Sequence, residues 1–503
     1  MQNIERWKVF ELEIGGKSDG NPFVDYPVKA VFKNGNKTLV FDGFYDGNGI
    51  YKVRFMPELL GEYSYEVCSD AFDTVVGSFN CVPASEGNHG PVKVANTYHF
   101  AYEDGTPYYP FGTTCYVWEL QDDEIQKKTL EELSKGYFNK IRFCIFPKHY
   151  HYNLKEPKNY PYVAGNGEGL DAKVAEKYNQ VYPPIERLLS DFNFHEFNPE
   201  YFRHIDESIE ALDKLGVEAD IIVMHPYDRW GFCKMNKEAD DLYWKYVIAR
   251  YAAYKNVWWS LANEYDLLPQ KSTSDWERYA DIIREKDPYN HLTSIHNCIA
   301  FYDHTRPWIT HACLQRQDLY RHVEYTDEYR VKYGKPIVWD EIAYEGNIDL
   351  GWGNISGQEL TRRFWESCLR GGYAGHGETY QHPNDILWWS HGGELHGDSP
   401  ERIKFLHKII SETPGAYMKR GEGIFDETVG VPESMFESKL YEIHYYGFGR
   451  PSYRMFNYPE DKKLKVEVID TWEMTVTDCG VHSGSFRIDL PGKEYMAVRI
   501  QEI

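Results

Sequence analysis

Over roughly the first 85 positions, apolar and polar residues alternate with the period of a half-buried β-strand. Val28, Ala30 and Phe32 lead into Asn34-Gly35, a hairpin signal, and Thr38 to Phe41 lead away from it. Tyr51, Val53 and Phe55, then Tyr63, Tyr65 and Val67, repeat the alternation around Pro57 and Gly61. The pattern predicts a small Ig-like β-sandwich over residues 1–88. From about residue 98 the period changes, and apolar runs of strand length alternate with helical stretches, as in parallel strands joined by crossover helices. Pro199 to Leu215 reads as a helix: Asn198 caps it, Pro199 occupies its first turn, Phe202, Ile205, Ile209 and Leu212 share a face, and Gly216 stops it. Trp276 to Lys286 has the same character. Eight apolar runs end in polar or aromatic residues: Tyr108 to Cys115, Lys140 to Phe146, Ala219 to His225, Val257 to Glu264, His291 to His296, Ile309 to Leu314, Pro336 to Glu341 and Gly372 to His376. Eight strands close a barrel, so residues 98–410 are expected to form an α/β unit, a (β/α)8 TIM barrel. After residue 412 the period of two returns at Tyr441 to Tyr445, Leu464 to Val468, Phe486 to Leu490 and Tyr495 to Ile500, predicting a C-terminal β-sandwich domain over 412–503.

Composition narrows the partner. The 503 residues carry 55 basic and 78 acidic side chains, a net charge of −23, which opposes binding to nucleic acid or an anionic membrane surface. Aromatic residues make up 16% of the chain, with 41 Tyr and 14 Trp, and flat rings with a polar edge suit the faces of sugars. No stretch approaches the ~20 apolar residues of a membrane span. Nine cysteines at irregular spacing imply reduced thiols, and the charged start of the chain lacks an uninterrupted apolar leader core, so a cytoplasmic location is expected. Self-association is left open.

The chemistry gathers at strand ends, where a barrel carries its site. Val257 to Ala262 runs into Asn263 and Glu264, and Pro336 to Asp340 runs into Glu341. Two carboxyl groups at strand ends of one barrel face a common cavity, and glycosidic cleavage with retention needs such a pair about 5 to 5.5 Å apart, one a nucleophile and the other an acid that becomes a base. Asp340 and Glu345 compete with Glu341, but strand alternation sends Asp340 and Glu341 to opposite faces, so only one is expected to point inward. Glu345 lies beyond the strand, suited to a leaving group or to capping a helix.

Asn263-Glu264 on the fourth strand and Glu341 on the seventh resemble the signature of the clan A glycoside hydrolases. That resemblance implies Glu264 as acid/base, Glu341 as nucleophile and Asn263 as the partner of a sugar 2-hydroxyl. Trp339 to Gly346, together with the order sandwich, barrel, C-terminal β-domain, resembles a subgroup that includes apiosidase-like bacterial enzymes. Where this clan places its sugar-binding shell stand Arg142, which would hold the nucleophile ionised, and His225, which would reach a sugar hydroxyl or orient a neighbour. Trp118, Trp230 and Trp389, with Trp388, are candidate stacking platforms, and His296, Gln315, His376 and Glu378 follow later strands.

The implied function is a retaining glycoside hydrolase acting on an oligosaccharide or small glycoside, exo-acting, with no cofactor and no metal. A carbohydrate-binding barrel without turnover is the rival, and a metal-dependent hydrolase built on His149-X-His151 with His225 or Asp228 is the third reading. Neither a phosphate-binding Gly-rich loop nor a serine nucleophile elbow is present. The long interval from Lys148 to Asn198, rich in tyrosine, is expected to cover one end of the cleft and make it a pocket. Xyloside, arabinoside, apioside, glucoside and galactoside all fit, because specificity lives in loop geometry.

Overall fold

The structure, a computed structural model, describes residues 2–150, 152–164, 192–316, 318, 321–383, 387–423, 427–433 and 439–503. Its centre is a parallel sheet of eight strands: β1 (Gly112–Thr114), β2 (Lys140–Cys144), β3 (Glu218–Met224), β4 (Val257–Ala262), β5 (Thr293–Ser294), β6 (Ala312–Gln315), β7 (Ile337–Glu341) and β8 (Tyr373–His376). Their spatial order is 5-4-3-2-1-8-7-6. The seam between β5 and β6 is bridged by the Thr310 amide, which donates to the Thr293 carbonyl at 2.9 Å, so the barrel is nearly closed. Each predicted run overlaps one barrel strand. Tyr108 to Cys115 divides, because Pro110 has no N–H to offer a ladder: Pro107–Tyr108 joins a small antiparallel sheet with His99–Tyr102 and Val92–Ala95, and the barrel strand starts at Gly112. Phe100 of that sheet plugs the barrel floor, 5.3 Å from the Trp258 ring and 5.5 Å from Tyr373.

The helices around the barrel follow their amphipathic faces. Pro199–Leu215 is capped by the Asn198 side chain, which accepts from the Glu200 amide, and ends where Gly216 takes a left-handed φ of 69° that an L side chain adopts at a cost. Phe202, Ile205, Ile209 and Leu212 are all fully buried. Thr273–Lys286 starts three residues before the predicted Trp276, fixed by a reciprocal cap between Ser272 and Asp275.

The N-terminal residues form two packed sheets around Phe10, Phe32, Phe55 and Phe79. Lys29–Asn34 and Lys37–Asp42 pair across a tight turn at Gly35, whose φ is +54°. This sandwich is fastened to the barrel by buried charge. Arg54 donates to both carboxylate oxygens of Asp206 at 2.8 Å, and Arg250 grips the same carboxylate at 2.9 and 2.6 Å while reaching Asp46 at 2.8 Å. After the barrel, a six-stranded sheet and a two-stranded one enclose Phe456, Leu464, Val466, Phe486 and Ile500.

Candidate active site

At the C-terminal ends of the strands, β2, β4, β6 and β7 bring together the residues that the sequence singles out. Arg142 on β2 donates to Glu341 Oε1 at 3.2 Å, and His296, after β5, places Nε2 3.3 Å from the same oxygen. The Tyr116 hydroxyl, two residues after β1, also donates to Glu341 Oε1. All three contacts fall on Oε1; Oε2 has no hydrogen-bond partner among the described residues. Burial alone would raise the pKa of Glu341, but His296, Arg142 and Tyr116 outweigh it and hold this carboxyl well below the ordinary glutamate value.

Glu264 is held differently. Gln315 at the end of β6 donates to its Oε1 at 3.0 Å, and the Tyr227 hydroxyl donates to its Oε2, with Asn263 Nδ2 3.4 Å away. Burial and then the Glu341 charge raise its pKa, against the opposing pull of Tyr227, Lys148 and His296. The two carboxyls, 7% exposed at Glu264, are therefore biased in opposite directions, one toward the neutral acid and one toward the anion. Consecutive extended residues point to opposite faces. Asn263 and Glu264 nevertheless both serve the site, because Glu264 takes φ +48°, a left-handed conformation that is uncommon outside glycine and concentrates at functional sites. Backbone bonds from Asn263 to Met224, His296 to Ala262 and Tyr265 to His296, 2.9 to 3.0 Å long, pin the turn.

Asp340 corrects the alternation expected for β7. From the pair Cys313–Val338 to the pair Gln315–Glu341, β6 advances by two residues and β7 by three. That extra residue is a bulge, and it lets both acids face the interior. Asp340 lies one layer below, 2.8 Å from Lys140 Nζ, which also meets Asp220 at 2.6 Å. Glu345 caps a helix: its oxygens accept from the amides of Asp398 and Ser399 at 2.8 and 3.0 Å, at the start of Ser399–Ser411.

A cavity of about 440 Å³ opens above the pair, its described lining including Tyr116, Lys148, Tyr150, Tyr227, Glu264, Gln315, Glu341, Tyr344, Trp352 and Trp389. Of the proposed platforms, Trp389 is in this wall. Trp118 instead packs edge-on against Phe143, and Trp230 stacks on Phe232 while its indole donates to Glu156 at 2.8 Å. His225 orients a neighbour: its Nε2 donates to the Phe146 carbonyl, its Nδ1 accepts from the Tyr227 amide, and burial holds its pKa at about 3. His376 contacts Thr113 Oγ1 at 2.9 Å and stacks on Phe138. Glu378 accepts from the amides of His396 and Gly397 at 2.6 and 2.8 Å. None of Trp118, Trp230, His225, His376 and Glu378 belongs to the described lining. Sequence reasoning passed over Tyr116, Tyr227 and Lys148, which follow strand ends by a few residues, the one signal that they carried.

Four buried polar atoms in this wall lack a partner among the described residues: Tyr344 Oη, Trp389 Nε1, His322 Nδ1 and Arg316 Nε. Such groups suit a ligand rich in hydroxyls. Among the described residues, no group of three His, Cys, Asp or Glu side chains gathers to hold a metal. His151 lies outside the described residues, as does 165–191, the middle of the interval expected to cover the cleft. The flanks of that interval divide, Tyr150 lining the cavity and Phe197 stacking on Tyr246 and meeting Phe23 edge-on.

Comparison with known proteins places this geometry. The chain is similar over the full length of both chains to the crystal structure of a putative glycoside hydrolase from Bacteroides vulgatus ATCC 8482, at 34% identity and a TM-score of 0.90. A glycoside hydrolase family 5 structure from the same organism shares the fold at 14% identity and a TM-score of 0.59, covering 82% of this chain and 94% of that one. No curated protein matches in sequence. Residues 3–70 and 430–501 match two domains of unknown function, DUF5060 and DUF5605. The class is thus a glycoside hydrolase, with a carbohydrate as substrate. Within that class the chain belongs to the apiosidase-like family, whose catalytic-domain model matches residues 94–414.

Proposed function

We propose that the protein is a retaining glycosidase in which Glu341 is the nucleophile and Glu264 the acid/base. The observation that carries this reading is the opposite bias of two carboxyls sharing one cavity, with Glu341 Oε2 left unengaged. In the first step Oε2 attacks the anomeric carbon, the glycosidic C–O bond breaks, and Glu264 gives its proton to the departing oxygen. The resulting ester removes the negative charge that raised the pKa of Glu264, so its carboxylate then takes a proton from water, which attacks the same carbon and releases the sugar with retained configuration. Asn263 contacts Tyr116 and Glu264, which supports its reading as the partner of the sugar 2-hydroxyl.

The cavity of about 440 Å³ favours a short or terminal glycoside over the interior of a polymer, since it is near the lower end of small-molecule sites and walled by Tyr150, Tyr344, Trp352 and Trp389. Proton NMR of the first product from the aryl glycoside that the enzyme cleaves fastest tests the mechanism. Retention is expected; initial release of the inverted anomer overturns it. A protein that binds sugars yet cleaves none of a panel of aryl glycosides is the non-catalytic rival.

A further inference from the structure

Lys148 is buried, at 3% exposed, yet no carboxylate forms an ion pair with it among the described residues. Its surroundings are rings. The ammonium lies 3.3 Å from the centroid of Tyr116, 4.3 Å from Tyr227, 4.7 Å from Trp389 and 5.4 Å from Tyr150. A cation over an aromatic face is attracted by the ring's quadrupole, and the attraction grows when water is excluded. The two nearest rings are the two whose hydroxyls engage the catalytic pair: Tyr116 donates to Glu341 and Tyr227 donates to Glu264.

We propose that Lys148 is a positioning residue that acts through Tyr116 and Tyr227, one positive charge holding both tyrosines and, through their hydroxyls, setting the orientation and proton affinity of both glutamates. The inference rests on the glycosidase reading and adds a residue to it. A cation against a phenol ring draws electron density from the oxygen, so each hydroxyl becomes a better donor and each glutamate oxygen that it meets is stabilised as an anion. The charge also acts on Glu264 through space, opposing burial and Glu341. Besides Tyr116, Tyr150 and Tyr227, the titratable groups around the ammonium are Cys144, Glu264, Glu341, Arg142 and His225. Burial pushes the Cys144 thiol up to about 12 and holds His225 near 3, so both are neutral at ordinary pH and the balance lies between Lys148, Arg142 and the two glutamates. Burial, first of all, also brings Lys148 down to about 8, so the cation is itself partly lost on the alkaline side.

The test compares Lys148→Met, which keeps the stem and removes the charge, with Lys148→Arg, which keeps the charge, in the full-length protein on the aryl glycoside that it cleaves fastest. Expected for Lys148→Met is a fall in kcat of about 10- to 100-fold with KM within about threefold, and an alkaline limb of the kcat/KM profile displaced to higher pH, because Glu264 loses a cation that lowered its pKa. Lys148→Arg should recover most of kcat and the original limb. An unmoved limb in Lys148→Met, whatever the loss of rate, overturns the proposal and leaves Lys148 as packing; a rise in KM with kcat intact overturns it in favour of direct substrate contact. If Lys148→Met does not fold, Lys148→Arg at wild-type stability with a displaced limb and a fall in kcat of tenfold or more overturns it, and an unchanged profile supports it. The anomer of the first product judges the retaining reading separately, since the limb can be measured whichever anomer forms.

Discussion

Lys140 and Arg142 stand two residues apart on β2, and each meets an acid from β7, yet the two layers that they define do different things. In the lower layer Lys140 lies between Asp220 and Asp340, all three side chains at most 2% exposed, with the Cys313 thiol donating to Asp340 at 2.8 Å. In the upper layer Arg142 shares Glu341 with Tyr116 and His296, and one oxygen of the acid stays free toward a cavity. Below, charges are enclosed and answer one another; above, charge is held ready for a group that arrives. The same residue types make a structural ion cluster at one depth and a reactive site about one layer higher, and access separates the two more than identity does.

The largest expected effect is in the upper layer. Glu341→Ala should lower kcat by roughly 10⁴-fold or more while leaving thermal stability near that of the parent. Added azide or formate should restore part of the rate by filling the vacated space and attacking in place of the carboxylate, giving a glycosyl adduct of inverted configuration that NMR identifies. Near-normal turnover in this variant, with loss in Asp340→Ala instead, would reverse the assignment of the two layers.

Glu264→Ala should cost less and depend on the substrate. Poor leaving groups need the proton and should slow by about 10² to 10⁴-fold, whereas an activated phenolate departs without it and should hold its glycosylation rate within about tenfold. The pH dependence follows from the paired shifts. In the proposed mechanism activity needs Glu341 ionised and Glu264 protonated; the first pKa is lowered and the second raised from the ordinary 4.5, so the kcat/KM profile should be a bell with limbs on either side of that value. An equal loss for Glu264→Ala across leaving groups removes it from the acid role.

In the lower layer the currency is stability. Lys140→Met strands two buried carboxyls and should destabilise the protein by about 3–5 kcal/mol in denaturant unfolding at pH 7. The sign of the Asp340 contribution to the pH dependence should also invert. In the parent, burial opposes the ionisation of Asp340 but Lys140, Arg142 and Cys313 overcome it, so its lowered pKa gives stability that is present above about pH 4 and lost as pH falls. Burial already raises the pKa of Asp220 in the parent; without the lysine, burial and mutual repulsion raise Asp340 as well, so the variant recovers ground as pH falls and loses it as pH rises. A gap between parent and variant that stays constant from pH 7 to 5 would break the comparison.

The barrel strands were legible because each is an apolar run of strand length, and a strand buried on both faces carries that signature without alternation. Glu264, Glu341, Asn263, Arg142, His296, Gln315 and Trp389 were legible as a set because a barrel gathers its strand ends, and the fold brings them together. Asp340 was misread since one inserted residue resets the alternation, and nothing local in Trp339-Asp340-Glu341 announces a bulge. Tyr116, Tyr227 and Lys148 lie on connections, where no period says which way a side chain turns. The same gap explains Trp118, Trp230, His376 and Glu378, strong residue types at suggestive positions that pack away from the described lining.

Glu378 offers the finest division between the two kinds of carboxyl. It follows β8 at a strand end, as a substrate-binding acid would, but its oxygens accept from the His396 and Gly397 amides, while Glu345 beside it accepts from Asp398 and Ser399. Four consecutive amides, from His396 to the first residue of the helix Ser399–Ser411, are thus held by two acids. Glycine at 397 suits the approach, since a Cβ there would lie 2.6 Å from Glu345 Oε2. Glu378→Gln keeps the shape but turns one acceptor into a donor facing an amide, so it should cost about 1–3 kcal/mol of stability. If Glu378 belongs with the enclosed acids, kcat and KM should each stay within about threefold of the parent at a temperature where the variant is fully folded. A tenfold rise in KM with unchanged denaturant stability would instead move Glu378 into the group that meets the sugar.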